Sequence, residues 1–149
     1  MHEVRREMVT SAQAMRDLGY ELASSARAGD LFILTGPLGA GKTTFVQGMG
    51  KALGIDEITS PTFVISRLHK GRIPLLHVDA YRLGGASGSS ALFDDLDLES
   101  YLPTSVTVVE WGAGLAERIS PNFTEVNIAF GESDQERVVE IIKHEGGHK

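Results

Sequence analysis

Gly36-Pro37-Leu38-Gly39-Ala40-Gly41-Lys42-Thr43 has the pattern G-x-x-x-x-G-K-[ST], the spacing with which a backbone wraps phosphate. Glycines let the chain curl until consecutive N–H groups converge on phosphate oxygens. The positive end of a following helix adds to that attraction. In this frame Gly36, Leu38, Gly39, Ala40, Gly41, Lys42, Thr43 and Thr44 are the phosphate-binding residues. Lys42 reaches the terminal phosphates, and the Thr43 hydroxyl is a ligand for Mg²⁺.

Phosphoryl chemistry also needs carboxylates beside the loop. Two apolar segments end in one: Leu75-Leu76-His77-Val78-Asp79 and Val106-Thr107-Val108-Val109-Glu110. Both have the Walker-B form, a strand whose carboxyl end delivers an acid to the nucleotide. One acid contacts Mg²⁺, and the other orients the attacking water or senses the γ-phosphate. Thr59-Ser60-Pro61-Thr62 stands where P-loop proteins carry a switch loop, with Thr62 the preferred hydroxyl and Ser60 the second. Arg82 is either an arginine finger or a surface ion pair. His77 reads as a satisfied histidine rather than a metal ligand, because no second His or Cys stands at zinc-site spacing. Trp111, next to Glu110, packs either near the nucleotide or in the core.

These residues need elements to hold them. Asp30–Thr35 reads as a short apolar strand and Thr44–Leu53 as a helix, so strand, loop and helix follow in the required order. Upstream, residues 3–9 read as a short edge strand. Thr10-Ser11 caps a helix that runs through Met15, Leu18 and Leu22 to Ala28, with Gly29 as its stop and Gly19 weakening it locally. Phe63–His69 and Arg72–Asp79 form a hairpin about Lys70-Gly71, and Pro74 points to a sheet edge there or to pairing with its N–H side free. Residues 84–90 are a loop of small residues, 92–102 read as short acidic helices, and a helix follows Gly112 to about Ile119. Phe123–Phe130 and Arg137–Ile142 are the last strands. Helices interleaved with strands, then a late hairpin, predict an α/β sandwich on a mixed sheet.

With 149 residues the chain is read as one domain. Its net charge of −6 argues against nucleic-acid binding by this chain alone, because that affinity rests on neutralising phosphates. The absence of cysteine fits a reducing compartment. No apolar run approaches a membrane span, and the expectation is a cytoplasmic protein.

Four blocks taken together are more specific than the P-loop. Leu38-Gly39-Ala40-Gly41-Lys42-Thr43-Thr44-Phe45, Ser60-Pro61-Thr62-Phe63, His77-Val78-Asp79-Ala80-Tyr81-Arg82-Leu83 and Glu110-Trp111-Gly112 stand in the order and spacing of TsaE. The chain therefore resembles the TsaE family, the small bacterial ATPases of tRNA threonylcarbamoyladenosine biosynthesis, over nearly its whole length. The resemblance implies a three-layer P-loop fold, ATP and Mg²⁺ as cofactors, and weak hydrolysis by the isolated protein. It also implies a hetero-complex with TsaD and TsaB, with tRNA reached only through them. By motif match Lys42 binds phosphate, Thr43 and Glu110 hold Mg²⁺, Asp79 is needed for hydrolysis, Ser60-Pro61-Thr62 is the switch-like loop, and Trp111 lies beside the site. Two positions depart from the family pattern: Met15 stands where relatives often have a threonine, and Pro37 where they often have an acid.

Other P-loop uses fit less well. A small-molecule kinase needs an arginine-bearing lid, and residues 84–90 contain none. A GTPase reads guanine with Asn-Lys-x-Asp, but Asn122 and Asn127 are followed by Phe123 and Ile128.

Overall fold

The computed structural model describes residues 2–37, 40–55, 66–79, 102–110 and 122–145. Within them the chain forms β1 (His2–Val9), α1 (Ala12–Ser24), β2 (Leu31–Thr35), α2 (Lys42–Ala52), β3 (Ser66–His69), β4 (Leu75–Asp79), β5 (Val106–Glu110), β6 (Asn122–Phe130) and β7 (Arg137–Glu145). The strands make one mixed sheet of seven in the order β1-β7-β6-β2-β5-β4-β3. β6, β2, β5 and β4 run parallel, whereas β7, β1 and β3 close the two sides with antiparallel pairings.

β2, β4 and β5 are nearly continuous apolar runs because both their faces are covered. Every residue of β5 is buried. Phe32 and Leu34 of β2, Val106 and Val108 of β5, and Val126 and Ile128 of β6 join Met15, Leu18, Phe45, Val46 and Met49 of the two helices in one core cluster. Ile33, Val78 and Val109 are equally buried on the opposite face; the segments from which a third layer is expected there, 92–101 and 112–119, lie outside the described residues.

Helix α1 starts where the sequence predicts. Ser11 is extended and its Oγ accepts from the Ala14 N–H at 3.0 Å, a cap worth about 1 kcal/mol. The helix stops at Ser24 rather than Ala28. The Asp30 carboxylate accepts from the Arg27 N–H, the Asp30 N–H bonds the Arg27 carbonyl, and the Gly29 N–H reaches the Ser105 carbonyl. Those bonds satisfy the backbone in a turn that leads into β2, so helix propensity loses to side-chain capping.

The two helices pack at unusually close range. A Cβ built on Gly19 would lie 2.1 Å from the Phe45 carbonyl oxygen, and one on Gly48 would lie 2.0 Å from that of Arg16. Gly19, which sequence propensity treats as a weak point, is the contact that lets α2 lie against α1. Arg5 of β1 also ties the sheet to α1, through a bidentate pair with Glu21 at 2.8 and 3.0 Å. That hydrogen bonding holds the Glu21 carboxyl below its usual range. Both side chains are largely exposed, so the pair contributes little to stability.

Pro74 takes the second of its two expected places: it lies just before the interior strand β4 and pairs on one side only, its carbonyl accepting from the Val106 N–H while the β3–β4 ladder begins at Leu75. Standing outside the ladder, it deprives the sheet of no donor.

Candidate nucleotide site

In a parallel sheet all carboxyl ends lie on one side, and the crevice there takes the ligand. β2 ends at Thr35 and enters the P-loop. Its Leu34 registers with Glu110 of β5, and Glu110 registers in turn with Asp79 of β4. The two acids named from sequence are therefore neighbours at one end of the sheet, level with the last turn of β2. Only the backbone of Asp79 is described.

Lys42 opens α2 and is buried. Its Nζ donates to the Gly36 carbonyl at 2.6 Å and to that of Pro37 at 3.1 Å, so the side chain curls over the loop that precedes it. Gly41 before it has φ 114°, a left-handed conformation that favours glycine. Having no side chain, Gly41 offers α2 no side-chain cap, and the positive end of the helix faces the loop. Thr43 and Thr44 follow in the first turn, half-buried. The Ala40 N–H bonds the Pro37 carbonyl at 3.1 Å and shapes the loop from within. Leu38, Gly39, Ser60, Pro61, Thr62, Arg82 and Trp111 lie outside the described residues, as do the segments 84–90, 92–101 and 112–119.

Glu110 is buried, and its Oε2 lies 2.6 Å from His77 Nε2. His77 is thus a histidine with a partner, as its sequence context predicts. Among the described residues no group of three or more His, Cys, Asp or Glu side chains gathers into a cage for a metal. A hard cation here would take oxygens from Glu110, Thr43 and the phosphates, a donor set that suits Mg²⁺.

One contributor was not legible in the sequence. β7 runs antiparallel to β6, which returns its first residue to the P-loop end of the sheet. There the Arg137 Nε donates to the Ala40 carbonyl at 3.2 Å and Nη1 to the carbonyls of Asp134 and Glu136 at 2.6 and 3.0 Å. Its guanidinium lies 4.8 Å from the centre of the Phe130 ring. Beside it a hollow of about 230 Å³ is lined by Ser11, Met15, Gly41, Thr44 and Arg137 among others. No local motif marks Arg137, because its partner is 97 residues away.

The family model for threonylcarbamoyl adenosine biosynthesis protein TsaE matches residues 9–139. The chain belongs to the TsaE family. Among TsaE relatives, the tRNA threonylcarbamoyladenosine biosynthesis protein of Streptomyces coelicolor is 48% identical over 128 residues, covering 82% of this chain and 84% of that protein. The TsaE of Nostoc sp. is 35% identical over 137 residues, or 87% and 81% of the two chains. The crystal structure of Bacillus subtilis YdiB superposes with a TM-score of 0.76 at 29% identity, covering 97% of this chain and 88% of YdiB. The TsaE resemblance and the mixed-sheet α/β fold expected from sequence are both borne out.

Proposed function

We propose that this chain is a Mg²⁺-dependent ATPase, slow by itself, that serves threonylcarbamoyl modification of adenosine in tRNA together with TsaD and TsaB. The observation that carries the reading is the register of Leu34 with Glu110 and of Glu110 with Asp79. It brings two acids to the strand ends beside a P-loop, in a chain whose relatives are tRNA threonylcarbamoyladenosine biosynthesis proteins.

In this reading Gly36 to Thr44 cradle the phosphates, and Lys42 exchanges the carbonyls of Gly36 and Pro37 for phosphate oxygens. Thr43 and Glu110 would hold Mg²⁺. When bound, the ion neutralises charge on the phosphoryl groups. Asp79 orients the attacking water, Thr62 serves as the switch hydroxyl, and Trp111 is a nucleotide-binding residue by its match to the family's motif. The hollow bordered by Met15 and Arg137 takes the base and ribose. The acidic chain leaves tRNA to its partners. No described helix is long and apolar enough to cross a membrane, and the proposed compartment is the cytoplasm.

ATP turnover measured alone and with TsaD–TsaB tests the reading. Slow turnover that accelerates on adding the partners supports it. Failure of the partners to bind the chain or change its rate refutes the accessory-ATPase role, and phosphorylation of a metabolite would replace it with a kinase.

A further inference from the structure

His77 has no need to be polar to fill its place. It lies on β4 among Leu75, Leu76 and Val78, with no surface exposed. Burying an imidazole in such surroundings costs free energy unless it forms a hydrogen bond. Its Nε2 has one partner, Glu110 Oε2 at 2.6 Å, and its Nδ1 has none among the described residues. The ring's hydrogen bonding to the described protein is therefore that single contact.

The register explains why the contact forms. His77 pairs with Val108, and Glu110 follows two residues later on the same face of β5. The Glu110 side chain leans back by one pleat to meet the ring. A carboxylate only accepts, so Nε2 is the nitrogen that donates to it.

A glutamate at a strand end has three rotatable bonds and would sample several positions. Tying Oε2 to a ring that cannot move leaves one orientation, with Oε1 as the oxygen available to a cation. We infer that His77 is a positioning residue: it fixes the Glu110 carboxylate for the Mg²⁺ that Thr43 and Glu110 hold. This rests on the reading of Glu110 given under Proposed function. It follows the general pattern in which partners of a metal ligand set its orientation and its affinity.

The test is the binding of Mn²⁺ to the full chain with ADP, followed by electron paramagnetic resonance, for the wild type, Glu110→Gln, His77→Leu and His77→Gln. The glutamine amide can offer an N–H near the position of Nε2. Expected is a loss of Mn²⁺ affinity of about 10- to 100-fold in His77→Leu, recovery of most of it in His77→Gln, and ADP affinity without metal unchanged in both. Wild-type Mn²⁺ affinity in His77→Leu beside a weakened Glu110→Gln overturns the positioning role alone. Unchanged affinity in Glu110→Gln overturns the reading of Glu110, and the inference with it. Equal losses in His77→Leu and His77→Gln mean that the ring serves only by shape, which also overturns it. If His77→Leu does not fold, ¹⁵N-histidine spectra of the wild type decide. An Nε2-protonated ring whose resonances shift when Mg²⁺ joins the ADP complex supports the role, and an Nδ1-protonated ring or no shift refutes it.

Discussion

Replacing Gly19 with alanine sets two effects of opposite sign against each other. In a helix interior alanine is favoured over glycine by about 1 kcal/mol, so propensity alone predicts a more stable protein. The new methyl, however, would stand 2.1 Å from the Phe45 carbonyl oxygen, 3.1 Å from its carbon and 3.2 Å from the Met49 nitrogen. These are backbone atoms in the middle of α2, with no rotamer to change. The helices must part by more than an ångström along a contact that buries Met15, Leu18, Phe45 and Met49. Overpacking of this kind costs about 3 kcal/mol, which leaves a net loss of roughly 2 kcal/mol after the propensity gain. With a urea slope of roughly 2 kcal/mol per molar, the midpoint falls by about 1 M. Phe45 lies three residues beyond Lys42 in the same helix, so ATP affinity should fall as well. Urea titration of Gly19→Ala beside Gln13→Ala, on the exposed side of α1, separates the crossing from a general effect. The exposed substitution should stay within about 0.5 kcal/mol. A raised midpoint in Gly19→Ala would refute the close helix crossing.

Arg137→Ala removes the bond to the Ala40 carbonyl and those bracing the β6–β7 turn. It should weaken ATP binding by about tenfold, the equivalent of one charge-assisted hydrogen bond, and unchanged affinity by calorimetry would show that Arg137 does not hold the loop. Glu21→Gln should cost less than about 0.5 kcal/mol at neutral pH, because the pair is exposed. The folded-state pKa of Glu21 is lowered, so the pair's contribution is present above the unfolded carboxyl pKa and is lost as pH falls through the folded one. Thermal melts should therefore converge in acid, and a gap that widens there would contradict the assignment.

The contrast between local and distant partners explains how much of this molecule the sequence discloses. The P-loop is legible because its spacing is itself the geometry, eight consecutive residues that follow an apolar strand and run into a helix. The strand-end acids are legible for a similar reason, since an apolar run that ends in Asp79 or Glu110 carries its own direction. That Asp79 and Glu110 are adjacent required the strand order, which no single strand encodes. Gly19 reads as a local weakness in sequence because its partner, the Phe45 carbonyl, belongs to another helix. The end of α1 is illegible for a related reason: Ala26 and Ala28 suit a helix, but Asp30 and Ser105 supply better partners for the backbone. His77 and Glu110 are 33 residues apart. Residue spacing argues against His77 as a metal ligand, but only the β4–β5 register shows the partner of its Nε2.

The central claim is that residues 36–44 hold the phosphates of ATP and that Lys42 is their cation. Equilibrium titration with a fluorescent ATP analogue in Mg²⁺, comparing the wild type with Lys42→Ala, addresses it directly. Saturable binding by the wild type that collapses by at least about 100-fold in a folded Lys42→Ala protein is the predicted result, the loss of a buried charge-assisted contact. Equal affinity in the two proteins would contradict the account.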